Sequence, residues 1–342
     1  MNKTIPTSLG HDTITKRRGN ASLPKAMVLA MALAVAATGC NAAGGQNKNA
    51  VAELVTTWGT TGAQDGQFQY VEDFAVGCGG NIYVTDARNS NIQVFNKDGK
   101  FLSKFGTKGD SKDNAEMQKP EGIAVDKACN VYVADYTTGY IKKFDKDHKW
   151  LKTFAGYGSG PGQNSEAEFM SIGPNNLLYM AEAGNSEVDV FDLDGNWQFS
   201  FGGLGSGPGQ MNRPEAAKVD SHGRVVVADL ANHRINIYDL QGKFIKSFGK
   251  EGSAPGDLKR PAGIAFDEND NIFVSEIGND RISVFDKDGK FLTMWGQKGN
   301  TPGQFGNLHG LVYHEGHLYV ADSANDRVQK FRVQTPRPAS GV

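Results

Sequence analysis

The chain has 342 residues, with 36 Lys and Arg against 38 Asp and Glu and a formal net charge of −2. That balance offers no clustered basic surface of the kind phosphate backbones need, so no nucleic acid partner is expected. The 43 glycines and 10% aromatics fall as glycine-rich turns between short aromatic and β-branched runs, which predicts an all-β protein.

The N-terminal "KRRGNASLPK" supplies positive charge ahead of "AMVLAMALAVAA" (Ala26 to Ala37). This apolar run falls short of the ~20 residues that a membrane-spanning helix requires, and it fits the apolar region of a secretory signal. It ends in "ATGC", which resembles a bacterial lipoprotein processing site. The resemblance implies removal of residues 1–39, lipidation of Cys40 and a flexible linker over 40–51. Ala37 stands where leucine is usual, and the stretch before the apolar run is unusually long. The protein is expected at the cell envelope of a bacterium, held to a membrane by a lipid anchor only. Without lipidation it would be secreted or periplasmic.

From residue 52 one phrase recurs: "YVEDFAVGCGGNIYVTD", "KPEGIAVDKACNVYVAD", "EAEFMSIGPNNLLYMAE", "RPEAAKVDSHGRVVVAD", "RPAGIAFDENDNIFVSE" and "NLHGLVYHEGHLYVAD". A glutamate column runs through positions 72, 121, 168, 215, 262 and 309, so the steps are 49, 47, 47, 47 and 47 residues. One unit is copied in tandem. Each copy carries four strand signals with period-2 alternation, such as "GIAVD", "NVYVAD", "RISVFD" and "KFLTMWG". Glycine closes the turn between third and fourth strands in most copies, and His148 replaces it in the second, which predicts a looser turn there.

Four-stranded units of this kind bury their faces only against one another, which is the logic of a propeller. The phrasing "RPxGIAFDxxxNIFVSExxNDRISVFDKDGKFLxxWG" resembles the NHL repeat family and implies a six-bladed β-propeller of four-stranded antiparallel blades over residues 52–333. The last three copies carry "ANHR", "GNDR" and "ANDR" before the third strand; the first three read "RNSN", "TTGY" and "GNSE". "LVTTWG" (Leu54 to Gly59) precedes the first unit and none of its type follows "RVQKFRV", so the N-terminal strand is expected to close the ring by pairing into the last blade. Residues 334–342 read as a disordered tail. Cys78 and Cys129 lie in equivalent turns, offset by two positions, and are expected as free thiols. Trp58, Trp150, Trp197 and Trp295 are expected to pack between blades, and the "GSGPGQ" loops to be flexible and suited to partner contact.

Loops entering the first strands and leaving the second strands share one face of such a ring. The second strands end in Asp86, Asp135, Glu182, Asp229, Glu276 and Asp322, a set explained by capping of backbone N–H groups. The first-strand column holds Glu72, Glu121, Glu168, Glu215, Ala262 and His309. Carboxylates gathered at an axis repel one another unless protonated or joined by a cation. Glu72, Glu121, Glu168, Glu215 and His309 are therefore candidate ligands for a divalent cation, calcium foremost, with zinc or manganese admitted by the imidazole. Individual blade-tethering hydrogen bonds are the competing explanation of the column. The chain reads as a monomeric scaffold that binds a protein or small-molecule ligand on this face. The alternative is a metal-dependent hydrolase or lyase, similar to the gluconolactonase and paraoxonase group or to the amidating lyase, working from the axial channel. No Ser–His–Asp arrangement, P-loop or HExxH motif is present.

Overall fold

A computed structural model describes residues 51–334; the expected signal segment, Cys40 and nearly all of the expected linker and tail lie outside the described residues. The fold is an all-β propeller, and no α-helix occurs among the described residues. First strands run Val71–Val76, Pro120–Val125, Ala167–Ile172, Pro214–Val219, Pro261–Phe266 and Leu308–His314. Each of the first five leads into three further antiparallel strands, and Leu308–His314 into two, its sheet being completed from the start of the described chain.

The expectation of six separate four-stranded blades is corrected by the hydrogen bonding. Four sheets are four-stranded, and the strands from Ala167 to Phe248 form one eight-stranded sheet. The join is a single parallel pair, Phe169 with Ala216. At two other junctions a hydroxyl stands between neighbouring first strands. Thr85 Oγ1 donates to the carbonyl of Glu121 at 2.8 Å, and Ser275 Oγ to that of His309 at 2.5 Å. Ala181 occupies the corresponding place before the join, as Ala134 and Ala228 do at junctions that stay unpaired.

Ala52–Trp58 pairs antiparallel with Arg327–Val333, so the outer strand of the final sheet comes from the start of the described chain. Trp58 packs there against Phe95 and Tyr319. Trp295 packs between Phe273 and Phe331, whereas Trp197 is 40% exposed and departs from the expectation. Apolar clusters fill the spaces between consecutive sheets, as in the set Phe68, Phe74, Val84, Phe95, Tyr319 and Val328.

Two expectations about turns are overturned. Cys78 and Cys129 form a disulfide, with Cα atoms 5.7 Å apart, linking the hairpins of the first two units. The turn at His148 is not loose: its N–H donates to Asp145 O at 3.0 Å, as glycine does elsewhere. His148 adopts φ 63°, and its ring is fixed by stacking on Phe105 and by Tyr83 Oη at 2.9 Å.

The glycine-rich loops are also built rather than loose. In the loop before Pro214, Arg234 donates to Asp229 and to the carbonyls of Ser206, Gly207 and Gln210. Arg281 and Arg327 grip the next two loops in the same way.

Candidate functional site

Every first strand breaks register with its neighbour just after its first residue. The shifts lie between Val71 and Phe74, Pro120 and Ile123, Ala167 and Met170, Pro214 and Ala216, Pro261 and Ile264, and Leu308 and Leu311. The glutamate column falls inside these bulges. A bulge re-aims a side chain and ends pairing locally, and here it turns Glu72, Glu121, Glu168, Glu215 and His309 into one axial cavity of about 170 Å³. The residue after the column must be small where bulges meet. A Cβ on Gly122 would lie 2.2 Å from Glu168 O, and one on Gly310 would lie 2.3 Å from Glu72 O.

All five expected site residues are brought together, and all are buried. Desolvation raises Glu72 and Glu168 well above the usual carboxylate range, reinforced in both by the Glu121 charge. Glu215 is pushed up to about 7, first by burial and then by Glu121. Glu168 Oε2 has no hydrogen-bond partner. His309 is held by Asn307 O and Ser323 Oγ, both 3.0 Å from Nδ1. A carbonyl only accepts, so Nδ1 carries the proton and Nε2 presents its lone pair to the cavity. Burial lowers the imidazole to about 4, keeping it neutral. Its Nε2 lies 3.9 Å from Glu215 Oε1.

A second set of lining residues stands two positions before the column: Tyr70, Lys119, Arg213 and Arg260. Lys119 forms an ion pair with Glu121 and places its ammonium 3.9 Å from the centre of the Tyr136 ring. Arg213 pairs with Glu166 at 2.5 Å. Tyr70, Arg213, Arg260 and Asn307 have φ between 50° and 74°, a strained choice for side-chain-bearing residues. Reading the 47-residue repeat two places earlier would have exposed this basic and aromatic set.

Below the glutamate layer Asp73 and Lys218 form a buried ion pair at 2.8 Å. Lys218 Nζ also donates to Met170 O at 3.1 Å, so the pair ties three first strands together across the axis. Burial raises the Asp73 carboxyl, and the Lys218 charge opposes that rise. The pair was missed because its members lie 145 residues apart.

Among the described residues no group of three or more His, Cys, Asp or Glu is arranged to hold a metal ion. The second-strand carboxylates serve the loops, as capping requires. Asp135 accepts from the N–H groups of Gln118 and Lys119, and Glu182 from those of Ser165 and Glu166.

The NHL repeat model matches residues 68–95 and 305–331, in the first and last units, and supports the reading of these units as NHL repeats. No curated protein matches the chain. Among solved structures it is similar to a streptogramin B lyase (TM-score 0.59, 12% identity, 83% of this chain and 98% of that one). It is also similar to virginiamycin B lyase from Staphylococcus aureus (0.57, 15%, 81% and 95%). A gluconolactonase from Xanthomonas campestris is a third neighbour (0.59, 13%, 79% and 88%). At these identities the likeness is one of fold.

Proposed function

We propose that the chain is an exported, lipid-anchored propeller that binds a small organic cation in the axial cavity. The observation that carries this reading is the buried Glu168 Oε2, without a partner among three further buried carboxylates. An ammonium or guanidinium group supplies the missing donor and charge. Lys119 already places an ammonium on Glu121, so the cavity is suited to such a group as it stands. Arg213 and Arg260 at the rim suit a ligand with an anionic end. The Cys78–Cys129 disulfide supports export, since disulfides persist in oxidising compartments.

Calorimetric titration with matched primary ammonium, quaternary ammonium, zwitterionic and neutral isosteres tests this reading. Cations should bind and neutral isosteres should not. Affinity should rise with pH through about 7, where Glu215 loses its proton. Glu168→Gln should weaken binding. Equal binding of neutral isosteres, or none in the series, would refute it. A response to calcium, zinc or manganese that Glu121→Gln with Glu215→Gln removes would assign the cavity to a metal instead.

A hydrolase or lyase is the second reading, favoured by the neutral His309 whose free Nε2 faces a Glu215 carboxyl that carries a proton near neutral pH. These are a base and an acid side by side. Assays with gluconolactone and with virginiamycin B, on wild type and His309→Gln, decide it.

A further inference from the structure

Three units grip their glycine-rich loops with an arginine; of the three that have Asn91, Tyr140 or Glu187 there instead, the third alone also places a carboxylate two residues on. Arg234, Arg281 and Arg327 begin their third strands and donate to loop carbonyls; in the unit Ala167–Gly202 that position is Glu187. Two residues on, the other units carry the donors Gln93, Lys142, Asn236, Ser283 and Gln329, and this unit carries Asp189. Four of those donors reach loop carbonyls: Gln93 to Gln67, Lys142 to Ser111, Asn236 to Gln210 and Gln329 to Gln304. Asp189 and Glu187 donate nothing, so two positive or donating groups have become two carboxylates.

The loop itself has not changed. Gly160 N–H donates to Gln163 Oε1, Gln163 N–H to Gly160 O and Asn164 N–H to Gly156 O. The same bonds join Gly207, Gln210, Met211 and Gly203 in the loop that Arg234 grips. The carbonyls of Ser159, Gly160 and Gln163 therefore match those of Ser206, Gly207 and Gln210, the acceptors of the Arg234 guanidinium, with Gln163 O already accepting one bond from Asn185 Nδ2 at 3.4 Å. Asp189 is fully buried; Ser200 donates to its Oδ1, and its Oδ2 has no partner.

We propose that a calcium ion takes the place of the absent arginine, held by the carboxylates of Glu187 and Asp189 together with the carbonyls of Ser159 and Gln163. Hard oxygen donors drawn from carboxylates and a loop backbone are calcium chemistry. The site is separate from the axial cavity, whose lining residues it does not share.

Terbium, a luminescent substitute for calcium, reads this site locally. Trp197 Nε1 bonds Ser200 Oγ, which in turn bonds Asp189, so excitation of Trp197 should sensitise a bound terbium ion. The expected result is tryptophan-sensitised luminescence that calcium displaces. It should be lost in Trp197→Phe and in Glu187→Gln with Asp189→Asn. Proteolysis within the 156–164 loop should be slow with calcium and several-fold faster with chelator. Glu187→Arg with Asp189→Asn rebuilds the arginine grip, so this variant should resist cleavage with or without calcium. Luminescence that survives Glu187→Gln with Asp189→Asn, or loop cleavage indifferent to calcium in wild type, would overturn the proposal.

Discussion

Replacing Glu215 with glutamine isolates one carboxyl of the axial layer at almost constant shape. In the folded protein Glu215 titrates at about 7 against an ordinary 4.5. An acid whose pKa is raised by folding holds more protons in the native than in the unfolded state between those values. Its stabilising contribution is full below about 4.5 and is lost as pH rises through about 7. At ~1.4 kcal/mol per pH unit, the window amounts to on the order of 3 kcal/mol. Part of this returns elsewhere, because removing the Glu215 charge also relieves Glu72 and Glu168. His309 runs the opposite way, gaining stability as pH rises from about 4 towards 6.5, so the wild-type curve alone blends both effects. The difference between wild type and Glu215→Gln does not. With chelator present, denaturant unfolding from pH 4.5 to 8 should show the variant gaining on wild type by up to about 3 kcal/mol as pH rises. For a domain of this size that is roughly 5–10 °C in Tm. Parallel curves for the two proteins would show that Glu215 is not held protonated by its surroundings.

Lys218→Met should destabilise by ~3–5 kcal/mol, since Asp73 would keep a buried charge without its partner, and adding Asp73→Asn should recover much of that loss. Denaturant titrations in which single and double variants behave alike would contradict the cross-axis pairing. Reduction of Cys78–Cys129, which spans 51 residues, should lower stability by about 2–5 kcal/mol; a serine double variant should melt like the reduced wild type and ignore reductant. Deleting Ala52–Trp58 should uncover the edge of Arg327–Val333 and produce aggregation on mild heating, seen by light scattering. A variant that stays monomeric and melts like wild type would remove that strand from the fold's stability.

The period of 47 residues made the strand order and the glutamate column legible, because a tandem copy repeats its side-chain directions along with its residues. The bulge was not legible. It inserts backbone without altering composition, and it is what turns Glu72, Glu121, Glu168, Glu215 and His309 into a single cavity. The join between Phe169 and Ala216 depends on how closely two strands approach, which side-chain pattern does not encode. Asp73 and Lys218 meet only once the ring is complete, so neither is marked by its own neighbours in sequence. The disulfide escaped notice because aligned turns place Cys78 and Cys129 two positions apart, whereas adjacent twisted hairpins set them side by side. Glu187 departs from the arginine of the last three units as Asn91 and Tyr140 do, and its meaning needed Asp189 beside it and the loop carbonyls that arginine holds elsewhere.

The pairing of Ala52–Trp58 with Arg327–Val333 sets an order on synthesis. The strand that finishes the ring is made first and must wait, unpaired, until the last 47-residue copy has emerged; Glu53 meets Arg332 across 279 residues of chain. Contacts of such separation carry the greatest loop-closure entropy and tend to form late in folding. A chain released early on the ribosome would therefore hold its first strand with nothing to receive it. A chain that lacks Arg327–Val333 leaves Ala52–Trp58 with an open strand edge that proteases and chaperones can recognise.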